Sequence, residues 1–101
     1  MTRSDDFAAR VASQPDNELF RFSLAQALLL ENRPADAAPH LEYCALKKPE
    51  WMMPRILLGN VFLELKQTDG ARQWLGEALS LAIAQHHEAP EAELRALLAN
   101  L

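Results

Sequence analysis

The 101-residue sequence resembles itself when it is shifted by 34 residues, and this repeat restricts the fold more than any other feature. The shift superimposes residues of similar character: Arg21 on Arg55, Leu24 on Leu58, Ala25 on Gly59, Leu28 on Phe62, Ala37 on Ala71, Leu41 on Leu75, and Cys44 on Ala78. The same shift near the start pairs Pro15 with Pro49 and Phe7 with Leu41. A period of this length indicates a stack of similar structural units.

Each unit has the pattern of helices. Apolar residues recur at spacings of three and four, as at Leu24, Ala27 and Leu28, and this is the period of a helix face. Breaks in the pattern predict six helices, at about residues 5–13, 17–31, 35–47, 51–66, 70–85 and 90–100. Ser4 and Asp16 have side chains that could cap the first two helices. The short connections favour antiparallel neighbours.

These residues give the chain a resemblance to tetratricopeptide repeat proteins, whose helix-turn-helix unit has the pattern Trp, Leu-Gly, Tyr, Ala, Phe and Pro. The matching positions hold Leu24-Ala25 and Leu58-Gly59, Leu28 and Phe62, Ala37 and Ala71, Leu41 and Leu75, and Pro49. Arg21 and Arg55 replace the Trp, and Ile83 replaces the second Pro. The resemblance covers roughly residues 7–85.

The resemblance implies an all-α fold in which antiparallel helix pairs stack as a short right-handed superhelix, an α-solenoid of about six helices. We expect residues 1–101 to form a single domain. Its parts would be a half repeat at 4–15, repeats at 18–49 and 52–85, and a capping helix at 90–101. Because the second Pro is missing, the fifth helix should run on toward Gln85, and the last helix need not keep the 34-residue register.

In such an architecture the first helices of successive repeats line a concave surface. Here those helices are apolar on nearly all sides, unlike an amphipathic surface helix. The residues predicted to face the concave side are Leu19, Phe22, Gln26, Leu29, Leu30, Met53, Ile56, Asn60, Leu63 and Glu64. Apolar anchors with interspersed amides suit a groove that binds a peptide or a helix, and Trp51 is expected at its entrance.

We therefore expect a protein-interaction module that binds an apolar or amphipathic segment of a protein partner. An alternative remains open, in which the concave face is covered by the first or last helix or is buried in a homodimer. Some tetratricopeptide proteins hold acidic chaperone tails with a clamp of Lys, Arg and Asn. Phe22 stands where that clamp would need Lys, and so the resemblance argues against such a tail.

Catalysis is a remote alternative. His40 lies one helical turn before Cys44, which is the only hint of a Cys-His pair, and a nucleophile needs such a base. His86 and His87 lie beside Glu88 and could capture a metal, but two histidines at a helix C-terminus are also explained by the helix dipole. No phosphate-binding loop or metal-ligand spacing is present, and we expect neither an enzyme nor a cofactor.

Charge and hydropathy exclude two classes of partner. Ten Lys and Arg against 14 Asp and Glu give a net charge of −4 with no block of either sign, which argues against a nucleic-acid partner. No segment approaches the roughly 18 apolar residues of a membrane span, and the polar start is unlike a secretory signal. The single cysteine agrees with a reducing compartment, so we expect a cytoplasmic protein.

Overall fold

The computed structural model describes residues 2–101, which form six α-helices. They are α1 (Arg3–Ser13), α2 (Glu18–Leu30), α3 (Pro34–Lys47), α4 (Met52–Glu64), α5 (Thr68–Ala84) and α6 (Glu88–Ala99). Each helix packs against the next in antiparallel order. The prediction of an all-α chain of about six helices is therefore confirmed. None of these helices is long and apolar enough to cross a membrane.

The 34-residue period is visible in the helix bounds. Both α2 and α4, and likewise α3 and α5, begin 34 residues apart. The register ends after α5, which extends to Ala84, so that α6 begins 36 residues after α4. This confirms that the fifth helix runs on toward Gln85 and that the last helix leaves the register.

Both of the predicted helix caps are wrong. Thr2 caps α1, in a capping box in which its hydroxyl accepts from the Asp5 amide while the Asp5 carboxylate accepts from the Thr2 amide. Asn17 caps α2 by accepting from two amides of the first turn. Ser4 is instead buried against Glu31, and the Asp16 carboxylate accepts from Tyr43.

The core depends on small residues placed beside large ones. Ala25 and Ala37 are fully buried with Leu41 and Leu58 in the cluster formed by α2, α3 and α4. A second cluster joins α5 to α6 through Leu75 and Leu94, among others. The tightest approach is at Gly59, where a Cβ would lie 2.5 Å from the Cγ of Leu75. A larger residue at this position would force Leu75 to move where α4 meets α5.

Arg21 and Arg55, which stand where the repeat pattern has Trp, make hydrogen bonds near the start of their helices. Arg55 is 8% exposed and donates to the carbonyl oxygens of Pro49 at 3.0 Å and Ala45 at 3.3 Å, and to the Glu77 carboxylate at 3.1 Å. Arg21 donates in the same way to the carbonyl of Pro15, at 2.7 Å. Each arginine therefore connects the start of its helix to the preceding turn by hydrogen bonds.

Two of the helical glycines, Gly59 and Gly76, predict opposite effects of the same substitution. Gly59→Ala should lower the free energy of unfolding by about 1–3 kcal/mol, because its methyl group would overlap Leu75. Gly76→Ala has open space around the added Cβ and should raise the free energy of unfolding by up to about 1 kcal/mol through helix propensity. Urea denaturation followed by circular dichroism measures both. Equal effects of the two substitutions would contradict the close packing of α4 on α5.

Candidate functional site

The ten residues predicted for the concave side lie on α2 and α4, and we call this set the inner face. On each helix they lie around the side opposite to the buried Leu24 or Leu58, as the helical period requires. Six of the ten side chains are exposed: Leu19, Gln26, Leu30, Met53, Asn60 and Glu64. Leu30 is 77% exposed and Leu19 is 61% exposed. These are high values for large apolar side chains.

The other four inner-face residues are half-buried. Phe22 and Leu29 pack against the core of α2, α3 and α4, while Ile56 and Leu63 pack against the cluster of α5 and α6. Each of these side chains therefore has one edge in the core and one edge at the surface. The inner face is consequently a surface in which half-buried apolar side chains lie between exposed ones.

An aromatic pair joins the two helices of the inner face. The rings of Phe22 on α2 and Trp51, at the start of α4, have their centroids 4.6 Å apart and are tilted by 41°. Trp51 is half-buried, and it lines a cavity of about 350 Å³ with Leu19, Lys48 and Glu50. This cavity, which we call the second cavity, is bounded by the start of α2 and by the turn before α4.

A larger cavity of about 470 Å³ lies between α1 and α2, and we call it the first cavity. Three of its lining residues belong to the inner face: Gln26, Leu29 and Leu30. The others are Arg3, Phe7, Ser23, Ala27 and Leu57. Sequence reasoning missed these five residues. The one available signal was the spacing of Arg3 and Phe7, which places both on the same side of α1.

The side of the first cavity formed by α1 is held in place by a carboxylate. Glu31, just after α2, accepts from the backbone amide of Ser4 at 3.1 Å and from the Ser4 hydroxyl at 2.7 Å. Ser4 is 3% exposed. Glu31 thus satisfies an amide in the first turn of α1, where a negative charge also suits the helix dipole. Arg3, next in the chain to Ser4, is carried on this fixed turn.

The chain's own helices leave most of the inner face open. Helix α1 packs chiefly against α2, and α6 packs chiefly against α5. Since six inner-face residues are exposed in the described chain, the first and last helices do not cover the face. Of the coverings considered from the sequence, only a second copy of the chain remains.

Cys44 and His40 do not form a catalytic pair. The Cys44 thiol is fully buried and donates to the carbonyl of Glu18 at 3.3 Å. Burial raises its pKa to about 11, and the charge of Glu18 contributes to the rise. His40 contacts Arg21 instead, with 3.5 Å between its Nδ1 and the guanidinium, and burial and that charge lower the His40 pKa. The thiol is therefore neutral and serves packing.

His86 and His87 are exposed and lie in the connection between α5 and α6. His86 terminates α5 with a left-handed φ of 58°, as a C-terminal capping residue does. His87 is the N-cap residue of α6, so the expectation that both lie at a helix C-terminus is correct for His86 alone. Among residues 2–101 no group of three or more His, Cys, Asp or Glu side chains is arranged to hold a metal.

The structure is similar to solved structures of PcrH. It matches PcrH in complex with the chaperone binding region of PopD, with a TM-score of 0.86, 23% identity, and coverage of 96% of this chain and 74% of that one. PcrH in complex with the chaperone binding region of PopB matches with a TM-score of 0.83 and 24% identity, over 94% of this chain and 77% of that one.

Protein BPP2914 from Bordetella parapertussis also matches, with a TM-score of 0.80 and 24% identity, over 99% of this chain and 87% of that one. No protein-family model and no curated protein matches the sequence. At these identities the similarity establishes the fold, which is the tetratricopeptide repeat fold predicted from the sequence.

The burial of Cys44 predicts that the native thiol resists modification. A thiolate is the reactive form, and a pKa of about 11 leaves almost none at pH 8. Reaction with Ellman's reagent should therefore be much slower in buffer than in denaturant, where the thiol is exposed. Rapid stoichiometric modification of the folded chain would contradict the packing role of Cys44 and would favour a reactive thiol instead.

Proposed function

We propose that this chain is a cytoplasmic protein-interaction module, not an enzyme, that binds an apolar or amphipathic segment of a partner protein on its inner face. The observation that carries the proposal is the apolar surface of α2 and α4, in which the exposed Leu19, Leu30 and Met53 lie beside four half-buried apolar side chains and three exposed polar ones. Monomeric proteins seldom expose large contiguous apolar patches without a binding role.

The shape of this surface suits a peptide. The first and second cavities adjoin opposite ends of α2 and are in the size range of ligand sites, roughly 300–1,000 Å³. Apolar side chains of a bound segment would enter these cavities. The amides of Gln26 and Asn60 are exposed and could pair with its backbone. Such a combination of pockets for side chains and polar groups for orientation is common in peptide recognition.

The comparisons support the same class of ligand. PcrH, which shares the fold, was solved with defined regions of PopD and PopB, and so a scaffold of this shape can hold a segment of another protein. The identity of the partner does not carry over from PcrH to this chain, because the sequences are only 23% and 24% identical. We therefore propose the class of ligand and not its identity.

Binding to this surface should be of modest strength. A standard stable interface buries about 800 Å² on each partner, whereas the whole chain exposes 5938 Å². Two helices of 13 residues offer less than the standard area, so the complex should be transient unless the partner also fills the cavities. Self-association through the same face is the second candidate, and the 77% exposure of Leu30 is the observation that favours it.

A matched pair of double substitutions tests the proposal. Leu30→Lys with Met53→Lys changes inner-face side chains that are 77% and 43% exposed. Leu46→Lys with Ile83→Lys changes side chains on α3 and α5 that are 73% and 44% exposed. The two variants thus match in charge and in exposure. Such exposed positions should tolerate lysine without loss of helicity, whereas Phe22 and Ile56 are half-buried and less suitable.

The ligand probe is a display library of random linear peptides selected on the unmodified chain. We expect the inner-face variant to weaken the selected peptides by at least about tenfold, the equivalent of 1.4 kcal/mol, because two apolar contacts are replaced by charges. The α3 and α5 variant should bind as the original does. Failure to select any peptide, or an equal loss in both variants, would contradict the proposal.

A further inference from the structure

We infer that the first cavity is a subsite for two residues of a bound peptide. One is an apolar residue whose side chain enters the cavity, and the other is an aspartate or glutamate, within two positions of it in the peptide, whose carboxylate binds Arg3. This inference rests on the proposed function and names the chemistry of one part of the ligand. It concerns a peptide side chain, since the cavity is continuous with the inner face through Gln26, Leu29 and Leu30.

The lining of the cavity accounts for the apolar half of the subsite. Phe7 of α1, Leu29 and Leu30 of α2, and Leu57 of α4 contribute apolar surface. A volume of about 470 Å³ has room for a large aliphatic or aromatic side chain with a polar group next to it. Ser23 and Gln26 add a hydroxyl and an amide at the same place, and these can pair with the peptide's backbone.

The charge of the cavity accounts for the acidic half. Arg3 is the one charged residue of the lining, and no Asp or Glu lies there. Within residues 2–101, no ion pair and no side-chain hydrogen bond engages the Arg3 guanidinium. The cavity therefore has a free positive charge in a chain whose net charge is −4.

Two of the carboxylates near Arg3 are already engaged, whereas Asp6, three residues after it on α1, has no side-chain hydrogen bond or ion pair within residues 2–101 and does not line the cavity. Asp5 accepts from the amide of Thr2 in the capping box, and Glu31 accepts from Ser4 and lies 3.7 Å from Arg33. The second cavity is a useful contrast, because its cation, Lys48, is paired with Glu18 at 3.2 Å. Of these two cavities, only the first has a cation without an ion pair within residues 2–101. A guanidinium is also the side chain best suited to hold a carboxylate by two parallel hydrogen bonds.

The backbone that carries Arg3 is anchored before a ligand arrives. The amide of the next residue, Ser4, donates to Glu31, and the Ser4 side chain is buried. The backbone that carries Arg3 is thus anchored to the end of α2, and only the side chain has to become ordered on binding. Less ordering lowers the entropic cost of recognition.

Four parallel selections test the inference, with peptides displayed so that their C-termini are not free. The targets are the unmodified chain, Arg3→Gln, Arg3→Glu, and the control Arg72→Gln, which removes one positive charge from an exposed residue of α5. We expect pools from the unmodified chain and from the control to be enriched in Asp or Glu within two positions of an apolar residue. The Arg3→Gln pool should lack this enrichment, and an Arg3→Glu pool should favour Lys or Arg instead.

A double-mutant cycle gives the size of the effect. In a selected peptide with an amidated C-terminus, replacement of the acidic residue by its amide should weaken binding to the unmodified chain about three- to tenfold, as expected for a partly desolvated charge pair. The same change should have no effect on Arg3→Gln. Added salt should reduce the difference, because an exposed pair is screened.

The outcomes separate the two proposals. If no peptide is selected, or if selected peptides ignore Leu30→Lys with Met53→Lys, the proposed function fails and the subsite fails with it. If peptides bind the inner face but show no acidic preference, or keep it in Arg3→Gln, the subsite alone is wrong.

Discussion

The close approach of α4 to α5 at Gly59 is the constraint on which the rest of the structure depends. A Cβ at that position would lie 2.5 Å from the Cγ of Leu75, so the two helices pack this closely because the side chain is absent, and an added methyl group would force Leu75 to move. Ala25 is fully buried at the equivalent position of α2. The small residues of α2 and α4, Ala25 and Gly59, pack in the core. The inner face, which includes the larger Phe22 and Ile56, lies on the opposite side of these two helices from Leu24 and Leu58.

Much of the helix arrangement could be predicted because its signals are local and occur twice. The spacing around Leu24 recurs around Leu58, and each copy supports the interpretation of the other. The caps could not be predicted in this way. Ser4 is a good capping residue by type, but its partner is Glu31, 27 residues away, and so Thr2 caps α1 instead. A contact between distant residues leaves no periodic trace in the sequence.

In the candidate site, too, the local features could be predicted and the contacts between distant residues could not. Positions on α2 and α4 follow from the helical period, so Gln26 and Asn60 are at the surface as expected. The half-burial of Phe22 depends on Trp51 and on the neighbouring core, which the pattern of one helix does not report. Arg3 was missed for a related reason. Its place in a cavity follows from how α1 docks on α2, and the half repeat that contains α1 offers little pattern to compare.

The central claim is that the inner face is free to receive a partner. The most direct test is the mass of the chain in solution, measured by light scattering over a wide range of concentration. The account predicts a monomer of 11.3 kDa throughout. A dimer that persists on dilution and dissociates when lysines are placed at Leu30 and Met53 would contradict it, because the apolar surface would then be closed by a second copy of the chain.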